Sequence, residues 1–527
     1  MHTHQTLRMA TTPSTSPFAP VTPLFLEPVD SDLQTFIREA HLLIESCPSL
    51  VVSVDADLDQ HARSKKAVRL QDARWMAART LVLGGVDLES PLEAEQTPLQ
   101  LMQGRPRTPG YVVAMALLLR GYFGAGFKHC DATSMMIESI TLRVFFTNLG
   151  LSMPGRSTLT ELVNAVGNET RLRMLDAQVA LALHLRLDDF ETMLQDSTHV
   201  AGNTAWPTDS RLMVALVTRL LRVGATLDRA QLPVLNPVQA RDALAVLIKI
   251  DREIDFSRGK KGSGRERRRR YEKLLKKAGQ VHKLLTAKIA LLDQKLTDLD
   301  VRPSHKALAV RAVERLHTDL DALAKVMANC KARVLDDEKV PMATKILSIS
   351  DPGAGFITKG QRQPVIGYKP QIARSGAGFI TGLLLPKGNA NDSGQLVPMV
   401  DEVIGRTHVT PKVLSVDDGY ASEANVIAMR ERGIGVISIN GAKGRALTEC
   451  AEWSSDKYRD ARDLRSGIES LMFTLKQGFD FGEVARRGLS FAHAELLEKV
   501  LAYNLCHSAR VKTRVAARER EDDAAAA

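Results

Sequence analysis

The run Met193-Leu194-Gln195-Asp196-Ser197-Thr198 reads as one short β-strand, and the next β-like runs do not begin until Lys345. A strand by itself leaves its backbone N–H and C=O groups unpaired, so it must join a sheet built by residues far along the chain. The residues in between then grow from one of that sheet's loops. This separation points to an α/β domain whose sheet is interrupted by an α-helical insert.

The flanking patterns agree. Lys345–Ser350, Gly367–Ala373, Gly378–Leu385, Val413–Val416 and Gly435–Ile439 are short apolar runs bounded by Gly, Pro and Asp, as strands are. Helices are expected between them at 394–404 and 422–432, with a last helical group over 461–510. Upstream, Pro207-Thr208-Asp209-Ser210 opens a helical stretch, with Thr208 or Asp209 as its N-cap. Leu274, Ala278, Val281, Leu285, Ile289 and Leu292, and then Ala309, Val313, Leu316, Leu320 and Leu323, recur at helical steps. Arg302-Pro303-Ser304 lies between the two series, which predicts an antiparallel helical hairpin.

Residues 31–190 also read as helices. A helix through Met135, Ile140 and Phe145 stops at Gly150, and Thr158–Glu161 has capping-box spacing for the next. Such a pair is either a DNA-reading helix-turn-helix or two packed helices of an all-α region. The expected units are a disordered leader over 1–30, an all-α N-terminal region over 31–190, and the α/β domain over 191–210 and 340–510. The helical insert takes 211–339, and the mixed-charge, alanine-ended tail over 511–527 is expected to be disordered.

Composition narrows the class. Apolar residues at 44% and charged residues at 25% exclude a chain disordered throughout. A net charge of +10 suggests a polyanionic partner, though weakly. Five scattered cysteines without C-x-x-C spacing fit a reducing compartment and offer no zinc site. The most apolar run, Tyr111–Phe127, is broken by Arg120 and is too short to span a bilayer. No membrane partner is expected, and the cytoplasm is the expected location.

Three acids stand out by context. Asp196 lies in the isolated strand, Asp417 ends the apolar run Val413–Val416, and Glu469 sits on a predicted helix. A carboxylate that ends a strand is held rigidly yet can meet a ligand at the sheet edge. Three such charges together need cations, and hard oxygen ligands select Mg²⁺ or Mn²⁺. Two ions about 3.5–4 Å apart would serve the attacking and leaving oxygens of a phosphodiester. Each acid taken alone is as well explained as a loop or cap carboxylate; the combination carries the reading.

Four blocks in this sequence resemble the DDE transposases of bacterial insertion sequences, within them the ISNCY group, over roughly residues 105–510. They are Gly150–Leu162; Asp196-Ser197-Thr198-His199-Val200 with Asn203 and Pro207–Ser210; Asp351-Pro352 with 357–360 and 367–369; and Asp417-Asp418-Gly419-Tyr420 with Arg465-x3-Glu469-x6-Lys476. The last is the most specific, although Arg462 stands where the family has a tyrosine. The family's second aspartate stands two residues before the glycine, which selects Asp417 over Asp418.

The resemblance implies an RNase H-like catalytic domain, with Asp196, Asp417 and Glu469 as catalytic residues and ligands of two Mg²⁺ or Mn²⁺ ions. It implies an enzyme that frees 3′-hydroxyl ends at the terminal inverted repeats of its own element and joins them to target DNA. A homodimer on paired double-stranded DNA ends is expected, in the bacterial cytoplasm and with the nucleoid when bound. The rivals are a derived DNA-binding protein without catalysis and a nuclease on the same fold.

Candidate DNA contacts follow. Arg465 and Lys476 fall on the same helix face as Glu469 and could grip phosphates. Lys359 and Lys369 could touch the same backbone. The run from Arg258 to Lys277 holds eleven Lys or Arg against two acids, and its Lys260, Lys261, Arg267, Arg268, Arg269 and Arg270 suit sequence-independent backbone contact. Trp206 either stacks on an unpaired base or packs the insert against the sheet.

Overall fold

The computed structural model describes residues 32–83, 107–124, 129–204, 206–228, 232, 237–257, 264–297, 299–358 and 363–526. The expected leader and Lys260, Lys261 and Lys359 lie outside the described residues.

The N-terminal region is helical: α1 (Asp32–Ser46), α2 (Ser49–Leu83), α3 (Gly110–Phe123), α4 (His129–Glu138), α5 (Ile140–Asn148), α6 (Arg156–Ala165) and α7 (Asn168–His184). Tyr111–Phe123 of the apolar run read as too short for a membrane lies in α3, with Val112–Leu119 at its buried centre. The single helix expected up to Gly150 is two. Ser139 breaks it and caps α5, accepting from the Leu142 amide at 3.3 Å. Helix α6 starts at Arg156 behind Gly155, so the Thr158–Glu161 capping box does not form. Leu159 and Val163 of α6 enter the same core as α3, as in a packed helical region.

Next come β1 (Thr192–Ser197) and β2 (Val200–Ala201), then α8 (Asp209–Asp228), α9 (Pro237–Phe256), α10 (Gly264–Thr297) and α11 (Pro303–Val334). Thr208 Oγ1 accepts from the Arg211 amide at 3.2 Å, so Thr208 caps α8. Pro303 opens α11 and gives the expected hairpin with α10. Helices α8–α11 share a core of their own, with Leu216, Leu220, Leu274, Leu285, Leu316 and Leu323.

The remaining strands are β3 (Gly355–Ile357), β4 (Val365–Tyr368), β5 (Gln371–Ser375), β6 (Ile380–Leu384), β7 (Val413–Asp417) and β8 (Val436–Asn440). The helices among and after them are α12 (Leu396–Thr407), α13 (Glu423–Glu431), α14 (Ala442–Leu447), α15 (Cys450–Trp453), α16 (Asp456–Asp463), α17 (Arg465–Gly478) and α18 (Leu489–Ala526). The main sheet has the order β6-β5-β1-β7-β8; β1 is antiparallel to β5 and parallel to β7. The strand read as isolated is thus the middle of the sheet, and its residues 193–197 are buried, as central strands are. Neighbouring residues of β5 serve opposite cores: Ile372 packs towards α17 and α18, Ala373 towards α12.

Three further expectations fail. Lys345–Ser350 is not a strand; Ile346 and Ile349 pack on the α8–α11 core, and Arg219 donates to the Ile349 carbonyl at 2.6 Å. An apolar run carries no periodicity that separates a strand from a packed extended segment. Gly367–Ala373 is two strands in two sheets, parted at Lys369-Pro370, because proline has no N–H to give a ladder. The tail does not read as disordered: α18 continues to Ala526, built from Ala, Arg and Glu, which are strong helix formers.

Helix α18 closes the N-terminal core. A Cβ on Gly121 of α3 would lie 2.0 Å from the Glu498 carbonyl oxygen, so this crossing requires glycine. Beside it the Glu498 carboxylate is buried among Arg120 (2.8 Å), Arg171 (2.9 Å) and Arg486 (3.6 Å). Burial alone would raise its pKa, but the three guanidinium groups outweigh this and hold it well below the usual range.

Candidate active site

Strands β1 and β7 run side by side in register, with Leu194 opposite Ser415. Two residues further along both strands stand Asp196 and Asp417, at the same end of the sheet. Asp196 is buried, with Oδ1 accepting from the Ser197 amide at 2.7 Å. The turn after β7 holds Asp417, whose Oδ1 accepts from the Gly419 amide at 2.9 Å. Helix α17 crosses this end and brings Glu469, with its side chain 63% exposed.

One guanidinium joins them. Arg465 lies 3.7 Å from Asp196 Oδ2, 4.0 Å from Asp417 Oδ2 and 3.3 Å from Glu469 Oε1. The four residues come from β1, β7 and α17, so the sheet and one helix bring together what the chain keeps far apart. Lys476 lies on α17 two turns beyond Glu469, on the same face.

A fourth acid lies beside this group. A Cβ on Gly419 would meet Asp417 Oδ1 at 2.9 Å and Asp392 Oδ2 at 3.2 Å, so both carboxylates lie close against this glycine. Asp392 takes a hydrogen bond from Lys369 Nζ at 2.8 Å and from Gln371 Nε2 at 2.7 Å. Gln371 in turn accepts from the buried Tyr420 hydroxyl. Burial raises the Tyr420 pKa, and the nearby Asp392, Asp196 and Asp417 charges add to it. Asp392 and Gln371 were not singled out from the sequence, and Tyr420 only as part of the Asp417–Tyr420 block. An acid in the loop between an apolar strand and a helix was the available signal for Asp392.

Asp418, passed over for Asp417, and Asp209, a possible cap of α8, have other partners. Asp418 accepts from the Gly444 amide at 2.9 Å at the start of α14, and Asp209 pairs with Arg333. Among the expected DNA contacts, Lys369 is mostly buried against Asp392. Arg268 donates to the Leu335 carbonyl, and Arg270 pairs with Glu266. Arg267 and Arg269 are exposed on α10. Trp206 packs edge-on against Phe356, with ring centroids 6.1 Å apart, and is half exposed.

The donor set suits hard divalent cations: carboxylate oxygens only, already gathered around one cationic group. The spacing is wider than an ion needs. Among the described residues no three His, Cys, Asp or Glu side chains lie close enough together to hold a metal as they stand.

Residues 333–505 match a family model described as "Transposase DDE domain". The matched segment includes Asp417, Glu469 and Arg465; the strand of Asp196 lies before it and is joined to it by the sheet. No curated protein and no solved structure matches the chain.

Proposed function

We propose that this chain, a DDE-type insertion-sequence transposase by the domain it carries, cuts the ends of its own element and joins the freed 3′-hydroxyls to target DNA. The observation that carries the reading is the sharing of one guanidinium by three carboxylates from three separate elements. The mixed sheet, three antiparallel strands followed by two parallel ones with an acid at each of the two central strand ends, supports an RNase H-like catalytic domain. In that domain α8–α11 are an insert after the first strands, with a core of their own. The four sequence blocks support placement near the ISNCY group.

Asp196 and Asp417 are the rigid ligands, fixed by strand ends and amide hydrogen bonds, and Glu469 completes the set from the helix. Mg²⁺ or Mn²⁺, two per site, would supply charge neutralisation and oxygen activation for phosphoryl transfer. Lys476, together with Arg267 and Arg269 on α10, supplies phosphate contacts that hold DNA without reading its sequence. The substrates are the element's terminal repeats and target duplex, bound by a homodimer in the bacterial cytoplasm. No helix among the described residues is long and apolar enough to cross a membrane.

Asp417→Ala should lose Mg²⁺-dependent cleavage of a cognate end by on the order of a thousandfold or more, while gel-shift binding to that end persists. Wild-type protein that never cuts a cognate end would sink the enzymatic reading. Strand transfer of a pre-cut end into plasmid separates a transposase from a nuclease, which would give hydrolysis alone.

A further inference from the structure

We propose that Arg465 is an internal competitor for the metal site: its guanidinium holds the three acids apart until divalent cations displace it outward. This rests on the reading of Asp196, Asp417 and Glu469 as metal ligands. The guanidinium stands 3.3–4.0 Å from one oxygen of each acid. Ions of the Mg²⁺ class bind carboxylate oxygens at about 2.0–2.1 Å, so three acids around a metal must lie closer together than three acids around a planar guanidinium. That difference accounts for a gathered donor set with no three members close enough to hold an ion.

A guanidinium and a divalent ion cannot occupy the same oxygens, and their like charges repel strongly at such range. Metal entry therefore moves Arg465 out. Its position in the first turn of α17 lets the side chain turn towards solvent, where it is already one-quarter exposed. A phosphate of bound DNA is the partner of matching charge and bidentate geometry for it there. Arg465 thus keeps the acids neutralised before metal and DNA arrive and becomes a phosphate ligand afterwards.

The test uses full-length protein and Mn²⁺ without DNA. Calorimetry on Arg465→Gln should give Mn²⁺ binding tighter than wild type by on the order of tenfold, because a competing positive charge is gone. The variant's metal-free melting temperature should fall, and Mn²⁺ should restore it. Arg465→Lys, which keeps the charge without the fork, should lie between. Adding Asp196→Asn to Arg465→Gln must abolish the gain, which places it at this site. Equal or weaker Mn²⁺ binding by Arg465→Gln, with wild type binding normally, overturns the inference and leaves the function standing. No saturable binding by either protein takes both down.

Discussion

Glu498 and Arg465 each stand as one charge among three of opposite sign, and the two clusters have opposite characters. Around Glu498, Arg120 and Arg171 approach to 2.8 and 2.9 Å, and the carboxylate is essentially excluded from water. Surplus guanidinium donors find the Asn164 side chain and the Val163, Val166 and Gly167 carbonyls. Among the described residues no buried polar side-chain atom of this cluster lacks a partner. Around Arg465 the distances are 3.3–4.0 Å, Glu469 is mostly exposed, and three carboxylates carry more negative charge than one arginine offsets. The closed cluster builds the fold. The open one is left short of positive charge, which the proposed cation site requires.

Single substitutions can break this contrast. Glu498→Ala leaves buried guanidinium groups without their counter-ion and should cost about 3–5 kcal/mol in urea unfolding. A loss below about 1 kcal/mol would mean the cluster is not structural. Asp392→Ala, which strands the mostly buried Lys369 ammonium and the Gln371 amide, should cost about 1–3 kcal/mol. That value would place the fourth acid between the two clusters in character. Glu469→Gln should change stability by less than about 1 kcal/mol, because its exposed ion pair is screened by solvent. A large destabilisation would show that the open cluster also holds the fold.

The ionisation of Glu498 gives the contrast a pH signature. Its folded pKa is depressed, so its contribution to stability is full above the unfolded carboxylate value of about 4.3 and is lost as pH falls below that through the folded value.

What the sequence made legible follows from range. Asp417 entered the candidate site as the end of an apolar run, and Glu469 through the Arg465-x3-Glu469-x6-Lys476 pattern that resembles the family's; both lie in short local stretches. The position of β1 in the middle of the sheet was only implied, since pairing partners are chosen by packing across the whole domain. Asp392 stayed hidden because its meaning comes from Lys369, Gln371 and Gly419, brought beside it by other elements. The run at 345–350 misled for a similar reason: its apolar residues serve the helical core instead of a sheet. Local chemistry announces itself, whereas a tie between distant residues appears only when the chain is folded.

Helix α18 also dictates an order of assembly. Its Leu497, Val500 and Leu501 complete the core that buries Val112–Leu119 of α3. On the ribosome α3 is made well before α18, so a chain that stops short of α18 leaves exposed the face of α3 that α18 covers. A chain that ends before α18 therefore carries unburied apolar surface of the kind that chaperones and proteases act on.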